Sequence, residues 1–285
     1  MQLPSPEGKG EQEGIPLSHL FQVGAGSGGM TVLDIVCRDP RLTHVTLIEP
    51  DVYQPHNVIR HQFPQSAVGQ RKADLASAWL SDRRPELRVD LLPCDLLDLD
   101  QAAAIESAAQ SCDLGICAAD NEPAKFHFDA LMRRFQKPWT LGEVLAGGIG
   151  GFVHWFAPGG PCYGCVASFL RRSVNVDQSK PPDYSAPGGP IAETTIPASR
   201  ASIELIASLH AQVTLQLLAQ PADYAPGFTS LLFTLEKVPG IFEEAFRTHR
   251  FRIPRAPDCL VCREPMAPAD LDRALDDALA RLNQG

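Results

Sequence analysis

The sequence lacks the features that would place it on nucleic acid, in a membrane or outside the cell. Basic residues do not dominate: 25 Lys and Arg against 34 Asp and Glu give a formal net charge of −9. A surface that neutralises a polyanion needs clustered cations, so nucleic acid is a poor partner. No apolar stretch reaches the roughly 18 residues of a membrane crossing, and MQLPSPEGKGEQEG at the start lacks the basic-then-apolar order of a signal peptide. The expected location is therefore the cytoplasm. Eight cysteines would suit disulfides by number, but in a cytosolic chain of this size paired spacing points to metal.

With 285 residues and 44% apolar content, the chain can bury a large core. Residues 1–16 carry Pro, Gly and charge without periodicity and read as a flexible tail. From residue 17 the pattern alternates. HLFQV (19–23) reads as a strand, 30–38 as a helix and THVTLIEPD (43–51) as a strand. QRKADLASAWLSD, LRVDLLPCDL, LDQAAAIESAAQ, CDLGICAAD and EPAKFHFDALMRRFQ continue as helix, strand, helix, strand and helix. PWTLGEVLAGGIGGFVHWFAP holds one long strand or two short ones. Such alternation predicts an α/β fold, a mostly parallel sheet with helices on both faces. Residues 173–190 are too rich in Pro, Gly and Ser for regular structure and read as a long loop. The segment 198–220 is a helix apolar on most sides, suited to a core or a subunit interface. Leu271, Leu275, Leu279 and Leu282 mark a last helix over about 270–283.

Gly24, Gly26 and Gly29 form G-x-G-x-x-G between a strand and a helix, where backbone N–H groups and a helix N-terminus cradle phosphate. A tight turn without ligand is the plain alternative. Glu49 lies twenty residues beyond Gly29, where a carboxylate can accept from ribose hydroxyls. This motif alone favours a dinucleotide, but the following residues do not. Glu49, Asp51, Asn57, Arg60 and Lys72 fall within 24 residues, on a loop leaving the C-terminal edge of the sheet and the helix after it. Singly these are ordinary surface residues. Together, Arg60 and Lys72 beside a pyrophosphate fit reaction at a nucleoside triphosphate better than hydride transfer. Asp120, at the end of an apolar strand, is a carboxylate suited to Mg²⁺ on the triphosphate, or equally an N-cap of the next helix.

Cys162-x-x-Cys165 and Cys259-x-x-Cys262 are two knuckle-like pairs with 93 residues between them. Two such pairs complete a closed tetrahedral zinc site, and free thiols or disulfides are the alternative. The metal would tie the C-terminal region back to the sheet.

The ordered set GAGSGG…IEPD…N…R…VGQ.K…CAADN, followed by the paired cysteines, resembles the ThiF/MoeB/HesA family over about Phe21–Arg263. The resemblance implies one adenylation domain over 17–285, with a Rossmann-like sheet, a structural zinc on four cysteines and a crossover loop at 173–190. It implies an enzyme that uses ATP to adenylate the C-terminal Gly-Gly carboxylate of a ubiquitin-like or sulfur-carrier protein, releasing pyrophosphate. By match, Gly24, Gly26 and Gly29 would line the nucleotide, and Glu49 stands where the family usually has Asp on the ribose. Asn57, Arg60 and Lys72 would contact phosphates, Asp120 would hold magnesium, and Lys125 sits near a position often held by Arg. The chemistry asks for no protein nucleophile, because Arg60, Lys72, Mg²⁺ on Asp120 and the helix N-terminus would offset the repulsion between two anions.

Two departures from the family stand out. Members that pass the activated tail to a thiol carry a reactive Cys after the first zinc pair, and none occurs over 166–258. Cys37, Cys94, Cys112 and Cys117 fall on predicted helix or strand segments and read as buried small hydrophobes, so the expected product is a released acyl-adenylate. The family's N-terminal helices, which supply an Arg to a neighbouring subunit, are replaced by the polar tail, leaving a homodimer or a related subunit as the expected assembly. Gly147, Gly148, Gly150 and Gly151 either let an extended peptide approach the backbone or mark a kinked strand junction. His19, His56, His61, His127, His154 and His210 share no spacing and read as surface or core residues. An NAD(P)-dependent oxidoreductase and a non-catalytic scaffold for a ubiquitin-like protein are the competing functions.

Overall fold

The computed structural model describes residues 18–170, 198–219 and 224–263. The segments expected to be a tail (1–16), a loop (173–190) and a helix (270–283) lie outside these residues. The parallel half of the sheet is built from β1 (Ser18–Val23), β2 (Leu42–Ile48), β3 (Arg88–Leu92), β4 (Leu114–Cys117) and β5 (Trp139–Val144). Its helices are α1 (Ser27–Val36), α2 (Lys72–Arg83), α3 (Ala102–Ser111) and α4 (Glu122–Arg134). The chain then reverses. β6 (Gly150–Phe156), β7 (Ser230–Thr234) and β8 (Thr248–Phe251) extend the sheet antiparallel, with α5 (Tyr163–Phe169) and α6 (Arg200–Ala219) between β6 and β7. The order is β3-β2-β1-β4-β5-β6-β7-β8.

The predicted α/β class is borne out, and PWTLGEVLAGGIGGFVHWFAP resolves into two strands, β5 and β6, joined at Gly147 and Gly148, which both have positive φ. Three elements were not foreseen: α5, β7 and β8. Strand β1 is buried along its whole length, as expected of a central strand covered on both faces. On one face α1, α2 and α6 pack through Leu20, Met30, Leu33, Val45 and Leu80; on the other, α3, α4 and α5 enclose Phe21, Phe128, Trp139 and Tyr163.

Helix α1 begins at Ser27 and so takes in Gly28 and Gly29, three residues earlier than the periodicity suggests. A Cβ on Gly29 would stand 2.3 Å from the Gly24 carbonyl oxygen, so the helix accepts a poor helix former to keep the turn tight. Helix α6 corrects the absence of a membrane-length apolar segment. Its 20 residues are long and apolar enough to cross a bilayer by composition. In the fold it is a core helix: Ile206, Ala207, Ala211, Val213, Leu217 and Leu218 are buried, within the clusters that also hold α1 and β6.

Candidate active site

Strand order turns outward on either side of β1, so a crevice opens at the C-terminal ends of β1 and β4, the place where open parallel sheets bind ligands. The glycine turn lies there. Gly24 has φ +94°, and a Cβ on it would stand 2.7 Å from the Ala118 carbonyl oxygen, so only glycine lets the turn lie against the end of β4. A Cβ on Gly26 would meet nothing within 4 Å. The middle glycine therefore faces open space. Beneath the turn, buried Gln22 donates to the carbonyls of Gly24 and Gly29, both at 2.9 Å.

Glu49 directly follows β2, under the same turn. Its Oε2 accepts from the Ala25 N–H at 2.6 Å and Oε1 from the Asp51 N–H at 2.9 Å. Burial pushes its carboxyl up, opposed by the nearby Lys72 ammonium and these two N–H groups. The carboxylate thus fixes the loop itself, and ribose could claim only its remaining lone pairs.

The segment after Glu49 returns to α2 through a short clasp. Tyr53 N–H donates to Gln70 O, Gly69 N–H to Tyr53 O, and Lys72 N–H to Asp51 O. This clasp brings two residues 21 apart into contact: Lys72 Nζ lies 2.6 Å from Asp51 Oδ2. The lysine is buried, whereas the carboxylate is 61% exposed. Asn57 is buried, and its Oδ1 accepts from Gln54 N–H in a single 3-10 turn. Arg60 follows on the next turn, half-buried, and its guanidinium has no ion pair among the described residues.

Asp120 follows β4, two residues beyond Ala118, and is exposed. Its capping alternative falls away, because Asn121 is the N-cap of α4 and accepts from Ala124 N–H at 2.9 Å. A carboxylate that caps no helix therefore stands beside the glycine turn.

Lys125 differs from the other candidates. Buried, it donates to Glu122 Oε1 and Glu143 Oε1, both at 2.8 Å, and these carboxylates hold its pKa up against desolvation. Tyr163 Oη donates to Glu122 Oε2 at 2.8 Å, and His154 joins Glu143 Oε2 at 3.0 Å to Ser230 Oγ at 2.7 Å. Sequence reasoning missed this polar chain. Its members lie on α4, β5, α5, β6 and β7, and no spacing in the sequence connects them.

The four knuckle cysteines meet as expected. Their sulfurs all lie within 4.8 Å of one another, with pairs at 3.5, 3.6 and 3.7 Å. A tetrahedral zinc with bonds of about 2.3 Å places its sulfurs about 3.8 Å apart, whereas a disulfide needs about 2.05 Å. The set therefore fits a structural zinc. Cys165 N–H and Ala256 N–H point at the sulfurs of Cys162 and Cys165. Of the other cysteines, Cys37, Cys112 and Cys117 are buried, and desolvation pushes their thiols up to about 11, 12 and 12. Cys94 departs from expectation: it lies past the end of β3 and is only half-buried, yet burial and then Asp98 and Asp95 raise its thiol as well.

The glycines, Glu49, Asp51, Asn57, Arg60, Lys72 and Asp120 thus share one edge. The Gly147–Gly151 junction lies at the end of β5 on that same edge. A cavity of about 610 Å³ lies at the opposite edge, between the strand starts at His19, His44 and Arg88 and helix α3, away from this set.

The family model described as "ThiF family" matches residues 1–261. The chain belongs to the ThiF family. ATP-dependent adenylation of a substrate carboxylate is the activity this membership supports. No curated protein is matched significantly. Among solved structures, Escherichia coli MccB is similar in fold, with a TM-score of 0.67 at 16% identity over 89% of this chain and 67% of that one. MccB with ATP gives 0.62 at 15% identity, over 87% and 67% of the two chains. The microcin C7 biosynthetic enzyme MccB in complex with N-formylated MccA gives 0.63 at 15% identity, over 86% and 67%. This chain thus spans about two thirds of the length of the MccB chains it matches.

Proposed function

We propose that this ThiF-family chain adenylates the C-terminal carboxylate of a small protein, with a Gly-Gly tail on a ubiquitin-like or sulfur-carrier protein as the substrate class. The observation that carries the reading is the charge placement around the glycine turn. Arg60 is unpaired among the described residues, Lys72 is held in place by Asp51, and Asp120 is released from capping by Asn121.

In the reaction a carboxylate oxygen attacks the α-phosphorus of ATP. The new C–O–P linkage forms as the bond between the α-phosphorus and the bridging oxygen breaks, and that oxygen leaves with pyrophosphate. Both reactants are anions, so Arg60 and Lys72 offset their repulsion and the charge gathering on the leaving group. Magnesium held at Asp120 would add to that neutralisation when bound. The N–H groups at the start of α1 face the transferred phosphate. No thiol takes part, since burial raises the thiols of Cys37, Cys94, Cys112 and Cys117 and the other four cysteines form the metal cluster; the acyl-adenylate is released to a separate acceptor.

The test is capture of the small protein that co-purifies with the chain, with its C-terminus read by mass spectrometry before and after Mg-ATP. A mass increase of one adenylyl group, AMP less water, on a C-terminal carboxylate is expected. Protection against heat by NAD and not by Mg-ATP would favour the oxidoreductase instead.

A further inference from the structure

Arg60, Lys72 and Arg200 all lie close enough to one buried histidine beside the glycine turn to act on its charge, and the sequence offers no motif for Arg200. His61 is buried, and its Nε2 lies 3.0 Å from the Ala25 carbonyl oxygen inside the turn. Arg60 precedes it in the chain. Arg200, 139 residues on, points Nη1 at the His61 carbonyl oxygen, 3.4 Å away.

Arg200 is placed by the start of α6, where Ser199 Oγ accepts from Ser202 N–H at 3.1 Å. That end of the helix also lies on the nucleotide edge. A Cβ on Gly28 would stand 3.7 Å from Ile203, and one on Gly148 2.7 Å from Ser202. The N-termini of α1 and α6 therefore open side by side. Desolvation, and then the charges of Lys72, Arg60 and Arg200, hold the His61 imidazolium down to about 4, against the hydrogen bond to Ala25. His61 is thus a neutral strut, and it adds no fourth charge.

The three cations are not equally committed. Lys72 has Asp51, while Arg200 has Glu204 one turn on, 2.7 Å from Nε, with both side chains more than 40% exposed. Such an i,i+4 pair in water yields readily to a stronger anion. The remaining nitrogens of Arg200 can take phosphate oxygens in the planar, two-pronged manner of arginine.

We propose that Arg200 is a further phosphate-binding cation of this site, contacting the terminal phosphates of ATP together with Arg60 and Lys72. The α-phosphate belongs at the glycine turn, where the substrate carboxylate must reach it; an arginine reaching in from the exposed start of α6 meets the phosphates that leave. This inference rests on the adenylation reading and extends it to a helix outside the nucleotide motif.

The test is calorimetric binding of Mg-ATP and, separately, of AMP to the full chain and to Arg200→Ala, Arg200→Lys and Arg60→Ala. Arg200→Ala should weaken Mg-ATP about tenfold or more, the loss of one charge-assisted contact. It should leave AMP within about twofold and the melting temperature unchanged, and Arg200→Lys should recover most of the loss. A merely structural role would weaken both nucleotides alike. If Arg60→Ala loses Mg-ATP while Arg200→Ala binds it as the unaltered chain does, the Arg200 assignment is overturned and adenylation stands. If the unaltered chain binds no Mg-ATP, both fall.

Discussion

The Lys72 ammonium lies 2.6 Å from the Asp51 carboxylate, the lysine buried and the aspartate open to solvent. A buried cation whose acidic partner faces outward is held ready for a second anion. Replacing Lys72 with Ala should lower ATP–pyrophosphate exchange by about 10²–10³, the usual effect of removing one preorganised charge from a reacting centre. Asp51→Ala should cost less, since it loosens the lysine without removing it. Equal losses in the two variants would assign Asp51 a direct role.

Asp120 and Asn121 are neighbours with separable roles. Asn121 caps α4 and Asp120 does not. Asp120→Ala should abolish exchange and leave the denaturant midpoint unchanged. Asn121→Ala should do the reverse, costing about 1 kcal/mol of stability and little activity. A loss of stability in Asp120→Ala comparable to that in Asn121→Ala would count against this division.

Metal analysis of freshly purified chain should give about one zinc per chain. Prolonged chelation should lower the melting temperature, because the four sulfurs close a loop of more than ninety residues. Cys259→Ser should lose the metal. Less than half a zinc per chain would overturn the assignment.

Acid sensitivity follows from two buried histidines. Burial holds His61 down to about 4 and His210 to about 3, the latter with Nε2 2.9 Å from Thr140 Oγ1. Above about pH 6.5 both are neutral folded or unfolded. Below it the unfolded chain binds protons that the fold refuses, so stability falls by about 1.4 kcal/mol per pH unit for each histidine until its folded value is passed. Asp129, raised by burial to about 6, runs the other way and offsets about one of them between roughly pH 4 and 6. His210→Gln should flatten the fall in urea midpoint between pH 6.5 and 4; an unchanged slope would contradict the account.

How much of this was legible in the sequence depended on whether a signal was local. The alternation from HLFQV to EPAKFHFDALMRRFQ gave the parallel half, because each strand and helix carries its own period. Strands β7 and β8 were missed: unlike β3 and β4, which are as short, they do not alternate with helices, and a loop carrying charge and a Pro-Gly pair separates them. The reversal at Gly147 and Gly148 was visible as glycine, but strand direction leaves no trace in periodicity. At the site, the glycine turn, Arg60, Lys72 and Asp120 stood out as a motif. The chain from Lys125 through Glu143 to His154, and Arg200 beside His61, did not, because only tertiary packing brings residues of α4, β5, β6 and α6 together.

The most direct test is a crystal structure with magnesium and a non-hydrolysable ATP analogue. The triphosphate should lie along the glycine turn, with phosphate oxygens within about 3 Å of Arg60 and Lys72 and the metal on Asp120. A nucleotide bound with those two cations turned away from its phosphates would contradict this arrangement.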